Sequence, residues 1–201
     1  MAAERQRPDV AAARAEFRAL QRAGLDPDRF VFIDETWVKT NMTRASGWGP
    51  THRRLVESVP HGHWMTTTFA GALRSTGLVA PLVVDGAMTG DVFRGWVEQH
   101  LVNVLRPGDI VVMDNLAAHK VAGVREAVRR VEAEVLYLPA YSPDLNPIEN
   151  TFAKIKHEIR KRKPRTKADG DALCGECPDW FPAAECRNYL RHAGYVPQNG
   201  N

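Results

Sequence analysis

The chain has 201 residues, enough for one compact domain and too few for two domains of ordinary size. Its net charge is only +3, from 27 lysines and arginines against 24 acidic residues, which excludes a protein that binds nucleic acid as a uniform polycation. With 44% hydrophobic and 25% charged residues, the composition is that of a globular protein and excludes wholesale disorder.

Neither a membrane span nor a secretion signal is predicted. The longest apolar runs, 78–84 and 110–113, are much shorter than the ~20 residues that cross a bilayer. The amino-terminal segment carries several charges and has no apolar core, so we expect no signal peptide. The cysteines, Cys174, Cys177 and Cys186, are odd in number and cannot form a full disulfide framework. We therefore expect a cytoplasmic protein without membrane contact.

The amino-terminal part is predicted to form a helix that leads into a strand. Residues 11–22 are rich in helix formers and precede Gly24, so we interpret residues 1–24 as a connector helix. The apolar run 30–33 consists of β formers and predicts a buried strand that ends at Asp34. The connector would thus end just before the sheet begins.

A hairpin and one more strand are predicted next. Segments 54–59 and 64–73 are rich in β formers and flank a turn at 60–63, which suggests a hairpin. Residues 78–84 form another strand-like run, closed by a turn at 85–86. Short connections of this kind favour antiparallel pairing.

The remaining chain alternates between helices and strands. Apolar residues recur every three or four positions from Val92 to Val104 and predict an amphipathic helix. The predicted elements after it are a strand over 110–113, a helix over 121–130, a strand over 135–138 and a helix over 147–161. Antiparallel strands followed by strand–helix–strand units predict an α/β fold, a mixed sheet flanked by helices.

Two aspartates are predicted to follow apolar strands directly. Asp34 and Asp114 come at the carboxyl ends of these strands, where open α/β sheets place the groups that bind ligands. The alternative is that each aspartate only caps a turn, as Asp85 does before Gly86. Position alone leaves both interpretations open.

Glu149 lies in the first turn of the predicted helix over 147–161. With Asn146 as the N-cap and Pro147 as the first helical residue, Glu149 could be only a capping-box acid. However, Lys156 and Arg160 recur on the same helical face. A capping residue needs no such cations, whereas an acid that holds a metal beside a phosphate backbone would have them nearby.

Three sequence blocks resemble the catalytic blocks of DDE transposases. They are VFIDETW at 31–37, VVMDN at 111–115 followed by His119, and YSPDLNPIE at 141–149. Thirty-four residues separate Asp114 from Glu149, as in the mariner-like superfamily and its bacterial insertion-sequence branch. The sequence HGHW at 61–64, followed by three threonines, is similar to that bacterial branch.

The resemblance implies a ribonuclease H-like catalytic domain over 25–163. It also implies that Asp34, Asp114 and Glu149 hold two Mg²⁺ or Mn²⁺ ions, which suits the preference of hard cations for carboxylate oxygen. The implied activity is cleavage and strand transfer of transposon DNA by in-line phosphoryl transfer. The residues expected to support this site or to contact DNA are Asn115, His119 and Asn146.

A basic segment follows Glu149, and its position favours contacts with DNA phosphates. The residues expected to make these contacts are Lys154, Lys156, Arg160, Lys161, Arg162 and Lys163. The alternative is a solvated helix end with no partner. Contacts of this kind would give affinity without reading sequence.

The implied partners are double-stranded DNA, as transposon ends and target, and a second copy of the chain. Family members carry helix-turn-helix modules before the catalytic domain, and residues 1–24 offer one helix, so we expect a separate or fused recognition region. The alternative function is a catalytically silent truncated transposase that acts as a DNA-binding or regulatory remnant. A dinucleotide-binding enzyme is disfavoured because no Gly-x-Gly-x-x-Gly follows the main strands.

Residues 164–201 are expected to form a basic, irregular tail. Gly170, Gly175 and Pro178 disfavour continuous helix there. The cysteines of this region, together with His192, could in principle bind zinc, but their spacing fits no common zinc finger. Reduced thiols without a ligand are the simpler interpretation.

Overall fold

The computed structural model describes residues 3–44, 46–56, 58 and 64–196. Its strands are β1 (Phe30–Lys39), β2 (Thr66–Arg74), β3 (Gly77–Asp85), β4 (Ile110–Met113) and β5 (Glu134–Tyr137). Its helices are α1 (Pro8–Arg22), α2 (Gly90–Trp96), α3 (Val124–Arg130), α4 (Ile148–Arg162), α5 (Lys167–Glu176) and α6 (Ala183–His192). No helix within these segments is long and apolar enough to cross a membrane.

The strands form one mixed sheet in the order β3-β2-β1-β4-β5. β1 pairs antiparallel with β2, and β2 pairs antiparallel with β3, while β1–β4 and β4–β5 are parallel pairs. The helical segment that begins with α2 and the segment that contains α3 provide the long crossovers that parallel strands require. The predicted α/β class and mixed sheet are therefore confirmed.

Helices cover both faces of the sheet, so its central strand is apolar on both sides. Phe30 and Phe32 of β1 pack with α1, α4, α5 and α6, whereas Val31 and Ile33 pack with α2 and α3. Adjacent strand residues point to opposite faces, which is why an unbroken apolar run predicts a doubly covered strand. Each fully buried side chain of this size stabilises the fold by about 1.5–3 kcal/mol.

β1 is longer than predicted, and the predicted first hairpin is wrong. Asp34 does not end the strand, because β1 continues to Lys39 by pairing with β2. Residues 54–56 and 58 form no strand, since β1 and β3 already occupy both edges of β2. The hairpin observed is β2–β3. The predicted turn at 60–63 lies outside the described residues.

The expectation of an irregular tail after residue 163 is also wrong. Helix α5 begins with a capping box in which Thr166 and Asp169 bond reciprocally, and this compensates for the glycines that follow. Pro178 lies at the start of a 3₁₀ turn, where no N–H is required. The buried residues that α5, α6 and the turns around them add to the core are Cys174, Cys177, Phe181, Cys186, Leu190 and Tyr195.

The three thiols are therefore core residues. None of them shows more than about one per cent of its surface, and none forms a disulfide. Among the described residues, no three His, Cys, Asp or Glu side chains are grouped so as to hold a metal ion. Reduced thiols without a ligand stay the prediction for this region.

Candidate active site

The parallel pairing of β1 with β4 brings two aspartates together. The register pairs Phe32 with Val112, and Asp34 and Asp114 each lie two residues further along their chains. Beyond this pair β4 ends, so β1 has a free edge on that side and Asp34 is only half-buried. The carboxyl end of the parallel pair is the location that open α/β sheets use for ligands.

Glu149 also lies near these two aspartates, although it belongs to a helix later in the chain. It is the second residue of α4, and it lines one cavity of about 360 Å³ together with Asp34 and Asp114. The rest of this cavity is formed by Asn115, Leu116, Asn146 and the loop from Leu138 to Pro143. All three predicted carboxylates thus face one space, although they are far apart in sequence.

Burial and repulsion by neighbouring acids make Asp34 and Glu149 reluctant to ionise. Burial acts on Asp114 in the same direction, but His119 and the Leu116 N–H outweigh it and lower the pKa of Asp114. Burial, with the nearby charges of Glu35, Asp114 and Glu149, raises the pKa of Asp34 to about 7, against the lowering effect of a backbone hydrogen bond. Partial burial and Asp114 also raise the pKa of Glu149, and Lys156 opposes that shift. A cation placed among the three groups would reverse both effects.

Hydrogen bonds fix the orientation of Asp34. Its Oδ1 accepts the Glu35 backbone N–H at 2.8 Å, and its Oδ2 accepts the Asn146 side-chain N–H at 2.9 Å. Asn146 is therefore not the helix cap: α4 begins at Ile148 after Pro147, with no side-chain cap. The capping-box interpretation of Glu149 is wrong, because a capping box would need Asn146 as the cap. Asn146 caps no helix, and its side-chain N–H is bonded to Asp34.

Asp114 is held by a buried histidine. His119 Nε2 lies 2.9 Å from Glu35 Oε2, and Nδ1 lies 2.5 Å from Asp114 Oδ1, in ion-pair contact but outside good hydrogen-bond geometry. Burial by itself would lower the pKa of His119, but the two carboxylates raise it to about 10. Glu35 is thus a site residue that the sequence analysis missed. The only signal for Glu35 in the sequence was its position directly after Asp34, which places an acid on the opposite face of the strand.

The oxygen donors at this edge of the sheet fit a hard divalent cation. Three carboxylates meet there, and Asn146 Oδ1 is buried without a hydrogen-bond partner. No three of the described acidic or histidine side chains are close enough to enclose one ion. The arrangement suits ions that each take two carboxylates and complete their coordination with water or phosphate oxygens.

Of the predicted cations on α4, two are bonded within the protein and two lie on the side of the helix that carries Glu149. Lys154 donates to Trp180 O and Glu185, and Arg162 pairs with Glu176, so these two cations hold α5, α6 and the turn between them. Lys156 instead shares the Glu149 side of the helix, where the Glu149 charge opposes the lowering of the Lys156 pKa by burial. Arg160 lies next to it, close enough to lower the pKa of Lys156 further.

The other two predicted cations lie at the end of the helix. Lys161 is exposed and 3.8 Å from Glu158, one turn earlier. Lys163 adopts the left-handed conformation that ends α4, and its N–H bonds to Ile159 O. Neither residue lines the cavity of the three carboxylates.

An exposed tryptophan stands beside Lys156. The Trp37 side chain is 51% exposed, and the amino groups of Lys39 and Lys156 lie 4.8 and 4.9 Å from its ring centre. Cations over an indole face attract it by roughly 0.5–1 kcal/mol at exposed sites. Lys156 is also close enough to Glu149 and Asp34 for their charges to act on its pKa, so this aromatic and basic surface adjoins the carboxylates.

The connector helix α1 holds the loop that precedes Glu149. Arg14 is buried, forms a two-pronged pair with Asp144 at 2.7 and 3.0 Å, and donates to Ser142 Oγ at 2.7 Å. Arg5 lies 2.5 Å from the same carboxylate. Partial burial opposes ionisation of Asp144, yet the arginines hold its pKa below the ordinary value. Helix α1 therefore takes part in positioning the site.

Replacement of Arg14 by Met is expected to destabilise the fold by about 2 kcal/mol. It leaves Ser142 and Asp144 without their buried donor, although Arg5 and Arg18 still face the carboxylate. Urea denaturation measures the change. Arg7→Met is the control, because Arg7 is exposed and pairs only locally with Asp9. Equal losses in the two variants would contradict a specific role for Arg14.

The sequence profile of one family, DDE superfamily endonuclease, matches residues 29–169. No curated protein sequence matches the chain. Many solved structures share its fold, and three are representative. The Mos1 strand transfer complex has a TM-score of 0.75 at 18% identity, covering 96% of this chain and 60% of the Mos1 chain. The Mos1 mariner paired end complex with Mn has a TM-score of 0.77 at 18% identity, covering 96% and 61%.

The third structure is the Mos1 transposase catalytic domain with raltegravir and Mg, at a TM-score of 0.67 and 18% identity, covering 98% of this chain and 92% of that domain. The chain thus spans about three fifths of the Mos1 chains in the two complexes. These matches confirm the predicted ribonuclease H-like fold, and with the family profile they confirm the mariner-like resemblance. The bacterial insertion-sequence branch stays a prediction, since residues 61–63 lie outside the described segments.

Proposed function

The chain belongs to the DDE superfamily of endonucleases, and on that premise we propose that it is the catalytic domain of a transposase. The proposed activity is divalent-metal-dependent cleavage of transposon DNA, followed by transfer of the freed 3′ end to a target. One observation carries this proposal above the others. Asp34, Asp114 and Glu149 come from three separate elements and face one cavity.

In this proposal Asp34, Asp114 and Glu149 hold two Mg²⁺ or Mn²⁺ ions, and complexes of Mos1 contain each of these metals. Bound at this site, the ions would activate the attacking oxygen and stabilise the leaving oxygen of an in-line phosphoryl transfer. The protein's own contribution is orientation. Asn146 holds Asp34, and the His119–Glu35 pair holds Asp114, so neither aspartate has to be ordered when substrate binds.

The proposed DNA path runs over Lys156, Arg160 and Trp37. Lys156 lies beside Glu149, and Trp37 and Arg160 lie next to Lys156, whereas Lys154 and Arg162 are bonded within the protein. Phosphate contacts by the two cations would give affinity without sequence specificity. The exposed indole of Trp37 offers a stacking surface for a base. Of the predicted contacts along α4, we therefore retain Lys156 and Arg160 as the strongest.

The double substitution Lys156→Gln with Arg160→Gln is expected to weaken DNA binding and flatten its salt dependence. Two lost phosphate contacts reduce the steepness of log affinity against log salt by about 1.8. Raising the salt from 50 to 200 mM therefore weakens binding by a factor roughly twelve times smaller than in the unsubstituted protein. Fluorescence anisotropy on a labelled duplex measures this slope. Arg129→Gln with Arg130→Gln, on exposed positions of α3, removes the same charge elsewhere. A slope equal to that of the unsubstituted protein would refute the proposed path.

The proposed partners are a second copy of the chain, the ends of a transposon and a region that recognises them. Mos1 forms paired end and strand transfer complexes, and by analogy we propose that two copies of this chain pair two transposon ends. We also propose that a helix-turn-helix region, fused or separate, supplies recognition of the end sequence. Asn115, which lines the mouth of the catalytic cavity, is retained as a DNA contact.

Nicking of a supercoiled plasmid tests the proposed activity most directly. Purified protein should convert supercoiled DNA to the open circle with Mg²⁺ or Mn²⁺, and EDTA should prevent the conversion. This assay requires no knowledge of the transposon ends. A folded protein that binds the plasmid but never nicks it would instead favour the silent remnant.

A further inference from the structure

A second cavity adjoins the catalytic one on the side away from Asp114. It measures about 480 Å³ and lies between α1, the loop before α4, and the end of α6. Pro143, Asn146 and Glu149 line both cavities, so the two are adjacent and share the chain segment that carries the third carboxylate. We call the part outside the catalytic cavity the α1 trough.

Arginines of α1 and of the turn before it cluster at one wall of the trough. Arg5, Arg14 and Arg18 all lie within 3.6 Å of the single carboxylate of Asp144. One carboxylate balances one guanidinium, so this cluster keeps two positive charges, and Glu149, the other acid that lines the trough, offsets one of them. Arg22, one helical turn after Arg18, lines the same wall. A surplus of this kind attracts an anion.

Arg18 is the member of this cluster that is free to rearrange. Its side chain is 53% exposed and its 3.6 Å contact with Asp144 is the longest of the three, whereas the Arg14 side chain is 9% exposed. Arg14 and Arg5 keep Asp144 paired when Arg18 turns away. The planar guanidinium matches a phosphate better than a point charge does, because it can donate two parallel hydrogen bonds.

Polar side chains complete the lining. Asn150 follows Glu149 on α4, His192 ends α6, and Gln21 donates to Ala193 O across the trough. Gln21 therefore ties α6 to α1 and keeps the two walls in place. A rigid, open groove with cationic and amide donors suits an extended anionic chain better than a compact apolar ligand.

We propose that the α1 trough binds a backbone phosphate of the DNA strand that enters or leaves the catalytic cavity, with Arg18 as its principal contact. The inference rests on the proposed function, because the trough shares Glu149 with the catalytic cavity and DNA is the anion proposed to bind there. It assigns a substrate-binding role to a helix that the sequence analysis interpreted only as a connector.

Anisotropy titrations of a labelled duplex without metal test this site separately from catalysis. Arg18→Gln should reduce the slope of log affinity against log salt by about 0.9, which is roughly a 3.5-fold smaller loss between 50 and 200 mM salt. Arg18→Lys, which keeps the charge, should retain the slope. Arg129→Gln is the matched control on α3, and its slope should not change. Thermal melting of each variant verifies the fold.

An unchanged slope for Arg18→Gln, or an equal fall for Arg129→Gln, overturns the inference. The plasmid assay distinguishes this failure from failure of the proposed function. If the unsubstituted protein nicks DNA while Arg18→Gln binds with an unchanged slope, only the trough is refuted. If the slope falls as expected and no nicking occurs, the trough is supported as a DNA contact and the catalytic proposal fails.

Discussion

Asp34→Asn, Asp114→Asn and Glu149→Gln are each expected to reduce metal-dependent nicking by at least about a hundredfold. Loss of a residue that only orients a metal ligand costs 10–100-fold, so loss of a ligand itself should cost at least the upper end of that range. Each substitution keeps the shape of the side chain and removes its charge. Initial rates of plasmid nicking with Mg²⁺ and with Mn²⁺ measure the effect.

Asp179→Asn is the matched control, because Asp179 is an exposed aspartate that does not line the catalytic cavity. It should nick at the unsubstituted rate. DNA affinity should stay within about twofold in all four proteins, since the carboxylates are not expected to contribute attraction for phosphate. Glu149→Gln with normal nicking would remove Glu149 from the site and leave it as an ordinary first-turn acid.

Without metal, Asp34→Asn is expected to stabilise the protein above neutral pH by up to about 4 kcal/mol. The native pKa of Asp34 is raised to about 7 from an ordinary value of 3.8, chiefly by burial. Each unit of this difference corresponds to 1.36 kcal/mol. The folded state holds the proton more tightly than the unfolded state, so this group destabilises the fold as pH rises from about 4 to 7.

Asparagine removes this effect, since it carries no charge to bury. Its amide can also keep both local hydrogen bonds, because Asn146 Oδ1 has no partner and can accept after the Asn146 amide turns over. Between pH 5 and pH 8, the stability advantage of Asp34→Asn over the unsubstituted protein should therefore grow by about 3 kcal/mol. Urea denaturation in EDTA at the two pH values measures this difference.

Two further measurements make the result specific. Asp179→Asn should show no pH-dependent advantage, because no buried charge is removed. Added Mg²⁺ should stabilise the unsubstituted protein at pH 8 and should stabilise Asp34→Asn much less, since binding to the native state shifts the unfolding equilibrium. An advantage for Asp34→Asn that is the same at pH 5 and pH 8 would contradict the burial of an ionised Asp34.

Local patterns in the sequence predicted most of the elements. The apolar runs at 30–33 and 110–113 became the central strands, and the predicted helix over 147–161 became α4, with Ile148, Phe152, Ile155 and Ile159 on its buried face. Such patterns are reliable because periodicity follows directly from helix and strand geometry. The extension of β1 to Lys39 depends on its pairing with β2, so the local sequence pattern of β1 could not predict it.

The candidate site likewise has parts that the sequence predicts and parts that only the fold decides. The blocks around Asp34, Asp114 and Glu149 are recognisable in the sequence, because each is a short contiguous run. Their supporting contacts join residues that are distant in the chain: Asn146 to Asp34, Glu35 to His119, and Arg14 to Asp144. No periodicity encodes such pairs, since each depends on which elements the fold makes neighbours.

By itself, the sequence determined the fold class, the three carboxylates and the concentration of positive charge after Glu149. The tertiary structure decided how that charge is used, because Lys154 and Arg162 are bonded to acids of α6 and α5, whereas Lys156 lies beside Glu149 with Arg160 next to it. It also converted a chain segment with helix-breaking residues into two core helices, because burial of Cys174, Cys186 and Leu190 outweighs weak local propensity. Residue type defines what chemistry is available, and packing over long sequence distances defines where it occurs.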